Sequence, residues 1–116
     1  MFCYEKKLQY PVRIKTPNPK LASWVISQYG GPDGELGASL RYLSQRYSMP
    51  YPELKGLLTD IGTEELGHLE MIGAIVHQLT RGLTREQLKE GGFAAYFVDH
   101  TAGVYPTAAA GAPFNA

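Results

Sequence analysis

The segment that decides the fold is PELKGLLTDIGTEELGHLEMIGAIVHQLT, residues 52–80. Its apolar residues recur at steps of four and three, the spacing that places them on one face of an α-helix. The members of this core-facing stripe are Leu54, Leu58, Ile61, Glu65, His68, Ile72, Ile75 and Leu79. The spacing predicts one helix about 42 Å long at the α-helical rise per residue, a length typical of helical bundles.

Two members of the stripe are polar, although they occupy its centre. Burying the unpaired charge of Glu65 would cost far more free energy than losing one hydrophobic contact, so this side chain needs a partner. Side chains at i and i+3 leave a helix on the same face, and Glu-x-x-His is a spacing with which helical bundles bind metal ions. Glu65 and His68 are therefore predicted metal ligands. The alternative is an acid–imidazole hydrogen bond without a metal.

The composition limits the class of protein. A chain of 116 residues makes one domain with a modest core, not two. Its 11 basic and 11 acidic residues give a net charge of zero. The sequence therefore shows no excess positive charge of the kind that binds nucleic acid or an anionic membrane. The single cysteine, Cys3, cannot form an intramolecular disulfide and fits a reducing interior. Since no apolar run reaches membrane length and no signal-peptide layout is seen, we expect a soluble cytoplasmic protein.

The first part of the chain is predicted to be an arm followed by a short helix. Prolines interrupt residues 1–18, which we expect to form an extended arm lying on a surface. Asn18 and Pro19 are a typical cap and first-turn pair, and they predict a short helix over 19–29.

A second helix, roughly 32–47, is predicted from Pro32 in its first turn. A short helix-breaking segment connects it to the long helix. A connection this short makes the two helices antiparallel neighbours. Its apolar stripe is Leu36, Leu40, Leu43 and Tyr47, and the more polar edge beside that stripe is Glu35, Ser39, Tyr42 and Arg46. Because the four-helix metal template places a carboxylate on the neighbouring helix, Glu35 is the third predicted ligand.

The segments after the long helix are short or irregular. Thr84 and Gln87 form a predicted capping box for a short helix that reaches about residue 90. Residues 93–116 show no period, and we expect an irregular tail that packs on something else, such as a partner chain.

Two neighbours of the ligand pair have weaker interpretations. Glu64 lies one position off the stripe, where it would either orient His68 or be an ordinary solvated residue. Gly67 lowers the stability of a helix by about 1 kcal/mol relative to alanine. A close helix–helix approach, or room for a small ligand, would explain that cost.

Together these residues resemble the non-haem manganese catalases over essentially the whole chain. The block Thr-Glu-Glu-x-x-His-x-Glu-Met at 63–71 is specific to that family. The runs that carry the resemblance are KKLQY (6–10), YGGPDGEL (29–36), RYLSQR (41–46) and LLTDIGTEELGHLEMI (57–72). Within the family the chain resembles a small branch of spore coat proteins.

The resemblance implies a ferritin-like four-helix bundle in which two manganese ions disproportionate hydrogen peroxide to water and dioxygen. It implies that Glu35 is a terminal ligand, that Glu65 bridges the metals and that His68 binds one of them. Glu64 is then the candidate catalytic acid, close to the metals without binding them. Two manganese ions can share a two-electron change, and carboxylates suit such hard cations.

The chain departs from the family where a second helix pair with further ligands should begin. No residue up to Ala116 supplies those ligands, so we expect a fragment, a homodimer or higher homo-oligomer, or a second chain that carries the other half. Two copies of the three predicted ligands would give four carboxylates and two imidazoles, the complete set. Half a bundle exposes its inner face, so a stable monomer is not expected.

Two functions of other classes stay open. One is assembly of a spore coat or shell, with a structural or vestigial metal site. The aromatic residues of the arm, Phe2, Tyr4 and Tyr10, favour such subunit contacts. The other is a ferritin-like di-iron oxidase, since the same ligands accept iron.

Overall fold

The computed structural model describes residues 3, 5, 7–30 and 33–93. This part of the chain holds α-helices and no strand, so the all-α prediction is confirmed. The helices are α1 (Pro19–Val25), α2 (Glu35–Gln45), α3 (Pro52–Thr80) and α4 (Arg85–Glu90). Two 3-10 turns, Ile26–Gln28 and Arg46–Ser48, extend α1 and α2. No helix within these ranges has the length and apolar character that crossing a membrane requires.

Local start and stop signals explain most of the helix ends. α3 begins and ends at the predicted residues. Asn18 caps α1 through its Oδ1, which accepts from the Leu21 N–H at 3.0 Å. Thr84 caps α4 in a capping box with Gln87, whose Oε1 accepts from the Thr84 N–H at 2.8 Å. These caps depend on residues three apart in the chain, so the sequence alone predicts them.

The predicted start of the second helix at residue 32 is wrong by three residues. α2 begins at Glu35, because Gly34 has extended backbone angles, φ −99° and ψ 178°, and is the residue that caps the helix. Pro32 lies outside the described residues. The regular helix ends at Gln45 and then tightens into its 3-10 turn, which brings the helical segment to the predicted end near 47.

The face that α2 turns toward α3 combines its polar edge with one member of its leucine stripe. Ser39 is 2% exposed, and its Oγ donates to the Gly62 carbonyl oxygen at 2.7 Å. Leu43 of the stripe packs against Gly62, whereas Leu40 and Tyr47 are 63% and 77% exposed. The predicted apolar stripe is therefore only partly on the buried face of α2, because a small hydroxyl residue at the crossing lets the two backbones approach more closely than leucine would.

The apolar core lies at the C-terminal end of α3. Its buried members are Ala22, Ile26, Val76, Leu79, Leu88 and Phe93. Phe93 is fully buried, and its N–H donates to the Leu88 carbonyl oxygen at 2.8 Å. The irregular tail that we expected from residue 93 thus starts inside this chain's own core, and residues 94–116 lie outside the described part.

Residues 7–18 carry no regular helix or strand and run along α3. Gln78 holds this arm with both ends of its amide. Its Nε2 donates to the Val12 carbonyl oxygen at 2.8 Å, and its Oε1 accepts from the Ile14 N–H at 2.7 Å. The Asn18 N–H donates to the Leu79 carbonyl oxygen at 2.8 Å. α3 thereby satisfies backbone groups of the arm that no strand pairs with.

Part of the α3 stripe has no covering element among the described residues. Leu54 is exposed, Leu58 and Ile61 are only partly buried, and Leu57 beside the stripe is exposed as well. A four-helix bundle covers such a stripe with two further helices. The described residues therefore form half of a ferritin-like bundle, elongated along α3, with principal extents of 54 × 27 × 23 Å.

Glycines set how closely the neighbours approach α3. A Cβ at Gly62 would lie 2.8 Å from the Leu43 Cγ and 3.2 Å from the Leu43 backbone nitrogen. A Cβ at Gly67 would lie 3.4 Å from the Gln9 Oε1, which is ordinary van der Waals contact. The close helix–helix approach that we expected at Gly67 therefore occurs at Gly62 instead.

We expect Gly62→Ala to lower the free energy of unfolding by about 1–3 kcal/mol, because the added methyl group overpacks the contact with Leu43. Gly56→Ala is the matched control, since a Cβ there has no neighbour within 4 Å. That control should gain up to about 1 kcal/mol of helix propensity. Urea unfolding at one protein concentration measures both variants. Equal stabilisation by the two alanines would contradict the close approach.

Candidate metal centre

α2 and α3 bring three potential ligands together near the middle of α3. Glu35 is the first residue of α2, and Glu65 and His68 lie one turn apart on α3. One donor atom from each residue can be chosen so that all three atoms lie within 4.8 Å of one another. These are the three residues that the sequence predicted as ligands, and the assignment itself remains a prediction.

Tight backbone packing ahead of α2 determines where Glu35 lies. A Cβ at Gly34 would be 2.6 Å from the Gly30 carbonyl oxygen, so only glycine fits at this position. One turn further along α2, the bond from Ser39 to Gly62 fixes the register of the two helices. That register places the Glu35 carboxyl group opposite the turn of α3 that carries the other two side chains.

Hydrogen bonds connect the three side chains. The His68 Nδ1 lies 2.9 Å from the Glu65 Oε2 and 3.9 Å from the Glu35 Oε2. An ionised carboxylate can only accept, so the His68 Nδ1 carries the hydrogen in this contact. The side chains of His68, Glu35 and Glu65 are 32%, 28% and 14% exposed, which leaves the cluster open on one side.

The two carboxyl groups share the proton of one hydrogen bond and shift each other's pKa values in opposite directions. The hydrogen bond with Glu65 raises the pKa of Glu35, and burial and the negative charge of Glu65 raise it further, against the lowering effect of His68. The same hydrogen bond from Glu35 lowers the pKa of Glu65. Burial opposes that shift, and the hydrogen bond and charge of His68 add to it. Glu35 is thus the more readily protonated partner and Glu65 the more readily ionised one.

This donor set fits a hard or borderline metal ion. Carboxylate oxygens with about one imidazole per ion are the ligands that manganese and iron take in carboxylate-bridged centres. Without a metal, a shared proton and an N–H hydrogen stand between the same donor atoms that a cation would hold. Metal binding would therefore release protons from the cluster.

The remaining candidates lie elsewhere. The Glu64 carboxylate is exposed and accepts a hydrogen bond from the Gln9 Nε2 of the arm. Among the described residues it makes no hydrogen bond to His68, so its role as a catalytic acid stays a prediction. His77 is exposed on α3, as expected for an ordinary surface residue, and His100 lies outside the described part.

Gln9 is the residue beside the centre that sequence reasoning missed. It lies 55 positions before Glu64, and its side chain reaches the turn of α3 next to the ligands. No short-range spacing relates the two residues. The one signal in the sequence was the run KKLQY at 6–10, which carried the family resemblance without revealing a contact.

Comparison with known proteins shows what this chain is similar to. The family model for manganese-containing catalase matches residues 1–116. Protein CotJC of Bacillus subtilis strain 168 is 56% identical over 116 residues, which are 100% of this chain and 61% of CotJC. A probable manganese catalase of Clostridium acetobutylicum is 41% identical over 81 residues, 68% of this chain and 36% of that protein.

The fold is similar to that of a solved manganese catalase. The crystal structure of wild-type KatB, a manganese catalase from Anabaena, matches with a TM-score of 0.79 and 31% sequence identity. The match covers 99% of this chain and 51% of the KatB chain. The chain therefore spans 36% to 61% of the length of these relatives. The family resemblance and the ferritin-like architecture are both confirmed.

The shared proton predicts how stability of the metal-free chain depends on pH. A raised pKa at Glu35 contributes stability at low pH that is lost as pH rises through the folded-state value, whereas the lowered pKa at Glu65 contributes stability that is lost at low pH. Glu35→Gln keeps a donor toward Glu65 without needing a proton. We therefore expect this variant to gain stability relative to wild type as pH rises from about 4 to about 8.

Urea unfolding in the presence of a chelator measures that difference at each pH. Asp60→Asn, which removes a charge from an exposed position on the same helix, is the control. A difference between Glu35→Gln and wild type that does not change with pH would contradict the shared proton.

Proposed function

Because the chain belongs to the manganese-containing catalase family, we propose that it serves the disproportionation of hydrogen peroxide to water and dioxygen at a di-metal centre. The observation that carries the proposal is the cluster of Glu35, Glu65 and His68, whose donor atoms lie within 4.8 Å of one another on two adjacent helices. The exposed side of the cluster is where further ligands would join it.

Each of the three residues has a proposed role. Glu65 is the most enclosed and its pKa is lowered, which suits a carboxylate that bridges two cations. Glu35 would bind one metal as a terminal ligand in its ionised form. His68 would bind through Nδ1, the ring nitrogen that faces both carboxylates. When bound, a pair of manganese ions would supply the two-electron redox capacity that peroxide disproportionation needs.

The carboxyl pair also offers a place to hold a proton. The hydrogen bond with Glu65 raises the pKa of Glu35, so Glu35 is the more readily protonated of the two. Proton transfer accompanies the conversion of peroxide to water, and a carboxyl group with a raised pKa can accept and return a proton near neutral pH more readily than a free one. Glu64, held by Gln9 on the neighbouring side of the turn, is the second candidate for this role.

Three protein ligands are half of the set in the four-helix template, so other groups must complete the centre. A twofold dimer would bring two copies of the cluster together and give four carboxylates and two imidazoles. A second chain, or a continuation of this chain, would supply the same groups. The uncovered end of the α3 stripe at Leu54, with the exposed Leu57 beside it, supports completion by a further helix pair.

Assembly of a spore coat or shell is the second candidate function. Large aromatic side chains are exposed on several elements of the described part: Tyr10, Trp24, Tyr47 and Tyr51. Aromatic residues are enriched at protein–protein interfaces, and exposed patches of them mark contact surfaces. If assembly is the function, the metal centre is structural or vestigial.

Loss of a ligand tests the catalytic proposal. We expect Glu65→Gln and His68→Ala each to weaken Mn²⁺ binding by more than about 100-fold and to abolish dioxygen release from hydrogen peroxide. His77→Ala, an exposed histidine on the same helix, should leave both unchanged. Metal analysis with an oxygen electrode measures both properties. Oxidation of Fe²⁺ with consumption of dioxygen, and no dioxygen release with manganese, would identify a di-iron oxidase instead.

The exposed half-bundle face predicts self-association. Sedimentation velocity should show a dimer or larger species rather than a compact monomer, because a monomer would leave the α3 stripe in water. The same measurement with chelator separates the two functions. A dimer that dissociates without metal supports a shared centre, whereas large oligomers that persist support assembly. A compact, cooperatively unfolding monomer would contradict the half-bundle.

A further inference from the structure

The turn of α3 that carries the metal cluster is intrinsically weak. Gly62 and Gly67 flank Glu65, and each glycine costs about 1 kcal/mol of helix propensity relative to alanine. A metal site needs its ligands held within about 0.5 Å of their binding geometry. Groups outside this turn must therefore hold it in place.

α2 holds the turn from one side. The buried Ser39 Oγ donates to the Gly62 carbonyl oxygen at 2.7 Å, and the Leu43 side chain packs where a Cβ of Gly62 would be. These contacts fix the start of the turn but do not extend to its other side.

The N-terminal arm holds the other side through Gln9. The Gln9 Nε2 donates to the Glu64 Oε1, and the Gln9 Oε1 lies 3.4 Å from the position of a Cβ on Gly67. Glu64 is two residues after Gly62, which is about 200° around an α-helix, so the arm and α2 act from opposite sides. Gln78 anchors the arm independently at Val12 and Ile14.

We propose that Gln9 is a positioning residue for the metal cluster. By bonding Glu64 and packing on Gly67, it holds the turn that presents Glu65 and His68. It also keeps the Glu64 carboxylate away from His68, which at i+4 would otherwise be within its reach. Gln9 touches neither predicted ligand, so it acts through the helix. The inference rests on the proposed metal centre.

The test compares Gln9→Ala with a swapped pair, Gln9→Glu combined with Glu64→Gln. Two properties are measured: amide hydrogen exchange of residues 62–68 in the metal-free chain, and the dissociation constant for Mn²⁺. Gln9→Ala should speed the exchange and weaken Mn²⁺ binding, each by about three- to tenfold, the effect of one lost hydrogen bond. Gln9→Glu alone should do at least as much, because it sets two carboxylates against each other.

The swapped pair restores a donor and an acceptor, so its exchange rate should return to that of wild type. Gln28→Ala, at an exposed glutamine outside the arm, is the matched control and should change neither property. Circular dichroism confirms that each variant keeps its helix content. Unchanged exchange in Gln9→Ala, or a swapped pair that exchanges as fast as Gln9→Glu alone, would overturn the inference.

The two readouts also separate this inference from the proposed function. If the wild-type chain binds no Mn²⁺, the metal centre fails, and the positioning role fails with it. If wild type binds Mn²⁺ and Gln9→Ala binds it equally well, the positioning role alone is wrong.

Discussion

The hydrogen bond from the Ser39 hydroxyl to the Gly62 carbonyl oxygen is the contact on which the rest of the structure depends. It requires two small residues at one helix crossing, since a Cβ at position 62 would collide with Leu43. The resulting approach sets the register of α2 against α3. Glu35 then lies opposite the turn of α3 that carries the other polar side chains, with Gly34 packed closely on Gly30 just ahead of it.

The electrostatics of the cluster follow from that proximity. Two carboxyl groups this close disfavour joint ionisation, which raises the pKa of Glu35, and the His68 N–H hydrogen-bonds Glu65. Hydrogen bonds from His68 and Glu35 stabilise Glu65 within the apolar stripe without any metal. The arrangement also keeps the donor atoms near one another, so that binding a cation would exchange protons for metal with little rearrangement.

The sequence predicted what depends on local spacing and missed what depends on contacts between distant residues. The extent of α3, the caps at Asn18 and Thr84, and the pairing of Glu65 with His68 follow from local spacing, and the four-helix template added Glu35. The orientation of α2 does not follow from local spacing. Its leucine stripe is a stronger pattern than one serine, and the carbonyl oxygen that accepts from that serine is 23 positions away. The contact of Gln9 with Glu64 spans 55 positions and follows no period. The place of Phe93 in the core was missed because it follows a glycine pair and belongs to no helix.

The apolar core is separate from the polar cluster. Val76, its first member on α3, is 11 residues beyond Glu65, about 17 Å along the helix. Side chains that stabilise the fold are thus different from those that would perform chemistry. In evolution, descendants of such a chain could lose every ligand and still inherit an intact scaffold, so a catalyst and an inert building block can be reached from one another by a few substitutions.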